Sequence, residues 1–199
     1  MIHKAIGLLF QPRKQWQAVA TMTEAQLRPY VAYPALLTLL PAVAWYFGTT
    51  RVGWQVGEGD ITRLTADSAL MIAILYYFAQ IIAIWVVGYF IHWMAATYDA
   101  DSNFIKGVVV AGFAATPILV AGVVGFYPLF TFDMLIGIAA VSYAVYLLYS
   151  GIPLAMKIPQ ERGFLFASAI VAVALVGLIV LMSVTVILWD MGFAPVFSD

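Results

Sequence analysis

Five long apolar runs dictate the solvent in which this chain can fold. Val31–Phe47, Ala69–Tyr98, Gly107–Val124, Met134–Leu154 and Phe164–Trp189 contain no Asp, Glu, Lys or Arg. Hydrophobic residues fill 64% of the 199 positions and charged residues 10%, against about 45–50% and about 25% in a soluble domain. A hydrocarbon layer about 30 Å thick takes ~20 apolar residues of helix, and inside it every backbone N–H and C=O must be satisfied within the protein. The expected fold is therefore all-α, an integral membrane bundle of five transmembrane helices over residues 30–190. An amphipathic N-terminal segment (1–29) precedes it and a short tail (191–199) follows.

Composition also removes function classes. There is no cysteine, which excludes disulfides, thiolate metal sites and cysteine nucleophiles. The net charge is −1, and no basic stripe is present to neutralise phosphates, so nucleic acid is not an expected partner. Ala5–Phe10 is too short for a signal-peptide core and runs into Gln-Pro-Arg-Lys rather than a cleavage site. With five crossings, Lys4, Arg13, Lys14, Arg28, Lys106, Lys157 and Arg162 fall on one side, and only Arg51 and Arg63 on the other. Positive charge is retained in the cytoplasm, so the N-terminus is expected inside and the C-terminus, with Asp190 and Asp199, outside.

Residues 2–20 read as an interfacial helix interrupted at Pro12. Ile2, Ile6, Leu9 and Phe10 approximate an apolar face, Lys4, Arg13 and Lys14 suit anionic headgroups, and Trp16 suits the headgroup boundary. A frayed cytoplasmic tail is the other reading. Pro34 and Pro41 predict a kink in span 1, because proline removes a helical donor. The Gly- and Thr-rich loop from Gly48 to Ser68, with Glu58 and Asp60 at its centre, is expected to be solvated.

Span 2 is longer than a bilayer requires and carries Gln80 deep inside and His92 near its cytoplasmic end. Intramembrane polar groups are functional candidates, yet neither has an acid within four positions. Gln80 is expected to hydrogen-bond between helices and His92 to face headgroups. Asp99-Ala-Asp101-Ser-Asn103 opens like a calcium loop, but Phe104 stands where Gly is required and Val110 where Glu is required. Asp101 or Ser102 is instead expected to cap span 3.

In span 3, Gly107, Ala111, Ala115 and Gly122 are spaced to share one face, where small residues let a second helix approach closely. Pro117 sits mid-span beside Thr116; packing and a hinge are the two readings. In span 4, steps of 100° put Ser142, Tyr143, Tyr146, Tyr149 and Ser150 within an arc of about 120°, opposite Gly137, Ala140 and Ala144. The hydroxyl face either lines a polar groove, with Gln80 as a further candidate, or bonds neighbouring helices. Gly151 and Pro153 are expected to end this helix. Span 5 is aliphatic, a lipid-facing or packing helix.

Several of these residues resemble the Yip1 family of five-span membrane proteins, in particular its small bacterial members. They are Leu9-Phe10-Gln11-Pro12-Arg13-Lys14-Gln15-Trp16 ahead of span 1, Asn103-Phe104 leading into span 3 with its Pro117, and Tyr143–Tyr149 with Gly151-Ile152-Pro153 closing span 4. The resemblance covers nearly the whole chain and implies a bacterial inner-membrane address, with no settled biochemical activity. Eukaryotic members are associated with Golgi and ER membranes and Rab GTPases through a larger cytosolic region. The 29 residues ahead of span 1 are too few for such a domain, so that partner is not carried over.

The expected function is non-enzymatic: organising membrane lipids or partner proteins through helix packing, as a homo-oligomer or with a membrane-protein partner. The alternative is a lipid or small-amphiphile transporter or scramblase using the hydroxyl face of span 4. Ion-coupled transport lacks the intramembrane acids or bases it needs. A membrane hydrolase needs clustered acids or histidines, and His92, Asp99 and Asp101, with His3 as a distant fourth, make a poor set. No cofactor, metal or catalytic residue is expected.

Overall fold

Local chemistry sets where each helix starts and stops. The structure, a computed structural model, describes residues 7–55 and 59–198; Ile2, His3, Lys4, Ile6, Glu58 and Asp199 lie outside them. Residues 7–10 are helical, and Gln11 then turns the chain at φ −137° and ψ 60°. Helix α1 (Pro12–Thr21) begins on proline, whose missing N–H has no partner to lose in a first turn. A helical turn, Glu24–Leu27, opens where the Gln26 side chain accepts the Thr23 N–H at 2.9 Å. It leads through a 3₁₀ stretch into α2 (Tyr33–Phe47), followed by α3 (Ala66–Ala95), α4 (Phe104–Ala114), α5 (Thr116–Ala121), α6 (Phe130–Met156) and α7 (Gln160–Leu188).

Among the described residues, four helical stretches are long and apolar enough to cross a membrane: Glu24–Val52, Ala66–Tyr98, Phe130–Met156 and Gln160–Phe193. The pair Phe104–Ala114 and Thr116–Phe126, bent by 42°, is a fifth candidate when counted as one broken span. The chain is an all-α membrane bundle. Its helices extend beyond the uncharged runs because polar residues at the helix ends continue the backbone ladder.

Two boundaries differ from expectation. Span 3 is capped by Asn103, not by Asp101 or Ser102: the Asn103 Oδ1 accepts the Lys106 N–H at 2.8 Å. Asp101 is engaged elsewhere, within 3.7 Å of both Lys106 and Lys157. Helix α6 does not end at Gly151 or Pro153 but runs to Met156, and Lys157 closes it in the left-handed region at φ 56°. Gly151, Ile152 and Pro153 are buried, and packing holds the helix regular past its proline.

Span 3 forms the centre. Nine consecutive residues of α4, Lys106 to Ala114, are buried, so neighbours surround it on every side. Its backbone touches that of α3: a Cβ on Gly107 would collide with the Gly88 carbonyl oxygen, and one on Gly88 would lie 2.6 Å from the Val108 Cα. The small residues of span 3 do not form one continuous contact face. Gly107 meets α3, whereas Gly122 meets Pro41 of α2. The bend before buried Pro117 rotates the stripe between them, with Ala111 buried and Ala115 half-buried. At the bend the Thr116 hydroxyl donates to the Gly112 carbonyl at 3.2 Å and lies 3.0 Å from the Tyr33 hydroxyl of α2.

Polar contacts tie each end of the bundle together. At one end Arg162 pairs with Asp99, and the Lys106 ammonium donates to the Asp101 carbonyl at 2.7 Å. The Asp101 N–H bonds the Met156 carbonyl at 3.2 Å. The acids of the calcium-like stretch thus pin one interhelical loop to the next. At the other end β1 (Arg63–Leu64) pairs antiparallel with β2 (Phe197–Ser198), and the Val196 N–H bonds the Ser68 hydroxyl at 2.9 Å. The Gly48–Ser68 loop is thereby joined to the C-terminal tail rather than left wholly to solvent.

Candidate functional site: a cleft between the N-terminal helix and span 4

The polar face of α6 is packed beside α1. Trp16 anchors the contact. It is fully buried and lies flat against Gly151, where a Cβ would sit 2.5 Å from the Trp16 Cε2. Its ring also meets Phe113 of α4 at a centroid distance of 6.2 Å, and Tyr30 and Tyr33 approach the same Phe113 edge-on at 5.7 and 5.4 Å. Leu8 and Val19 are buried as well. Deeper along α6, the Tyr143 hydroxyl donates to the Leu9 carbonyl at 2.7 Å. Tyr143 is roughly 20 Å from the Met156 end of its helix at 1.5 Å per residue.

The N-terminal segment is therefore docked into the bundle, and Trp16 is a core residue rather than a headgroup-belt residue. A tryptophan beside basic residues has the same sequence signature in both settings. Its seat, the gap left by Gly151, lies 135 positions away. Phe10, 79% exposed, does project outward.

Docking leaves a cleft of about 500 Å³ lined by Arg13, Gln17, Tyr146, Tyr149, Ser150, Leu154 and Gln160. Residues 13 and 17 are four apart on α1, which puts both on the wall facing α6. Opposite them, the Tyr149 hydroxyl lies 2.8 Å from the Ser168 Oγ of α7, and Ser150 donates to the Leu147 carbonyl at 3.2 Å. Tyr146 is 47% exposed and stacks on Tyr143 at 5.6 Å. Among the described residues, no hydrogen bond or ion pair engages the Arg13 guanidinium or the Tyr146 hydroxyl.

Not all the sequence candidates gather here. Ser142 is exposed and does not line the cleft. Gln80 does not line it either: it sits on α3, which packs on α2, α4 and α7. Its Nε2 is buried and lacks a partner among the described residues. Gly107, Ala111, Ala115, Pro117 and Gly122 belong to the packing of span 3, and Pro12 starts the helix that forms the wall. Lys14 is exposed beside Arg13. Sequence reasoning missed Gln17 and Gln160. The spacing of Arg13 and Gln17 was a usable signal for the first, and nothing local marked the second.

The cleft offers one guanidinium, two side-chain amides and phenolic and aliphatic hydroxyls, beside apolar ring faces and Leu154. Such a set can hydrogen-bond an oxyanion while burying hydrocarbon next to it.

The Yip1 domain family matches residues 6–181 of this chain. Inner membrane protein YohC of Escherichia coli strain K12 is 35% identical over 187 residues, covering 94% of this chain and 96% of that protein. The protein of the same name from Escherichia coli O6:H1 strain CFT073 matches with the same identity and coverage. No solved structure matches. From the family match, its extent and this relationship along almost the full length of both chains, the chain belongs to the Yip1 family.

Proposed function

We propose that this inner-membrane protein of the Yip1 family organises membrane lipid without chemical turnover. It holds a lipid headgroup in the cleft between α1 and α6, with its N-terminus in the cytoplasm and its C-terminus outside. One observation carries the reading: docking of α1 sets Arg13 and Gln17 across from Tyr146, Tyr149 and Ser150 around about 500 Å³. The lining pairs hydrogen-bond donors with apolar surface, as an amphiphile requires. Among the described residues it contains no Asp, Glu, His or Lys to act as a general base.

Holding is favoured over carrying lipid across. The hydroxyl stripe does not continue as an open path, because Tyr143 spends its hydroxyl on the Leu9 carbonyl and Ser142 lies outside the cleft. The test is lipid retention by the purified protein through repeated detergent exchange. The protein is expected to keep about one phospholipid per chain, and Ser150→Phe, which fills the cleft, to remove it at unchanged helicity. Equal retention by the two proteins would refute the site. In liposomes with labelled lipid, transfer between leaflets should not exceed that of protein-free vesicles; fast transfer abolished by Tyr146→Phe would establish the transporter alternative. Reporter fusions after Trp54 and at the C-terminus should both read outside.

A further inference from the structure

Resting on that reading and sharpening it, we propose that the cleft selects an anionic glycerophospholipid, with Arg13 reading the phosphate. The argument begins with which charges the protein leaves unspent. Among the described residues at the Met156 end of the bundle, Arg28 pairs with Glu24 at 3.1 Å, Lys106 and Lys157 pair with Asp101, and Arg162 pairs with Asp99. Arg13 and Lys14, adjacent on α1, have no carboxylate within ion-pair distance among those residues. One of these two unspent cations faces the cleft.

The geometry suits a phosphate. A guanidinium presents a planar fork that engages two phosphate oxygens at once, which an ammonium does not. The amides of Gln17 and Gln160 and the Tyr146 hydroxyl can donate to the remaining oxygens or to a glycerol hydroxyl. Trp16 on Gly151 fixes α1, and the Tyr143–Leu9 bond fixes the turn of chain ahead of it, before any ligand arrives, so little ordering remains to oppose binding. Among the described residues the lining has no carboxylate to receive a choline or ethanolamine cation. A zwitterionic lipid would place that cation, unpaired, beside Arg13. Leu154 and the tyrosine rings cover the first carbons of the acyl chains.

The experiment titrates the purified full-length protein in neutral detergent with phosphatidylglycerol and phosphatidylcholine of identical acyl chains, read by native mass spectrometry. Phosphatidylglycerol should bind about fivefold more tightly, the weight of one cation near anionic lipid. Arg13→Gln should weaken both lipids, phosphatidylglycerol the more, and bring the two within about twofold. Arg13→Lys should restore part of the preference, and Arg28→Gln, at a cation already paired, should leave it intact. Equal binding of the two lipids, or a preference that survives Arg13→Gln, overturns the selectivity. If Ser150→Phe then still removes both lipids, the lipid-holding reading survives; if it removes neither, that reading falls as well. Displacement of phosphatidylglycerol by millimolar glycerol phosphate would assign the site to soluble phosphate esters and overturn the lipid proposal.

Discussion

Spans 3 and 5 are alike in the feature that puts them in a membrane and opposite in where they sit. Gly107–Val124 and Phe164–Trp189 both lack charged residues. Yet α4 is buried at nine consecutive positions, while α7 buries Gly163, Phe166, Ala167 and Ile170 near its start and is exposed from Leu175 to Val184. From Leu175 to Ile187 its Leu, Ile and Val side chains are exposed, which in a bilayer means covered by acyl chains. Hydrophobicity cannot separate the two, because lipid is as apolar as leucine and supplies no drive for one helix to leave it for another. The separation comes from close approach. Gly107 meets the Gly88 backbone, whereas Gly177 has nothing within 4 Å.

If that account is right, paired substitutions should diverge, most of all where bulk is removed. Phe113 is 1% exposed and is the ring that Trp16, Tyr30 and Tyr33 share; Leu178 is 53% exposed. Phe113→Ala should cost about 3–5 kcal/mol through lost contacts and a cavity that cannot collapse. Leu178→Ala should stay within about 0.5 kcal/mol. Denaturation in mixed detergent micelles reads both, and similar losses for the two would end the distinction between centre and edge. Adding bulk gives the next largest contrast. Gly107→Leu should cost about 1–3 kcal/mol or prevent folding, since it meets backbone rather than a movable side chain. Gly177→Leu should be neutral in the same assay.

The comparison also explains what the sequence could reveal. The membrane sets a length and a composition, so the candidate spans are readable from runs without charge. The small residues of span 3 pointed to close packing, and Pro117 to a break. The direction of the bend, and hence which neighbour each glycine meets, depends on α2 and α3 together. The hydroxyl face of span 4 is readable from 100° steps, because that relation is local to one helix. The opposite wall of the cleft is not. Trp16 carries no mark of the Gly151 gap that receives it, and Gln160 carries none at all. Contacts such as Tyr33 with Thr116, 83 residues apart, appear only once the chain is folded.

The smallest contrast is the most discriminating, because it opposes two hydroxyls with the same local habit. Thr116 and Thr185 each donate to the carbonyl four residues earlier, Gly112 at 3.2 Å and Leu181 at 2.9 Å. Only Thr116 also meets a second helix, through the Tyr33 hydroxyl at 3.0 Å. Thr185→Val removes a bond that merely supplements the backbone ladder of its own helix, and should change stability by less than about 0.5 kcal/mol. Thr116→Val strands the Tyr33 hydroxyl in a buried position, at a cost of about 1 kcal/mol. A double-mutant cycle with Tyr33→Phe isolates the part that belongs to the pair, about 0.6 kcal/mol and no more than about 1.7 kcal/mol, as for interhelical hydrogen bonds in bilayers generally. A coupling of zero would mean that the bend at Pro117 is held by packing alone, and that α2 rests against span 3 without being bonded to it.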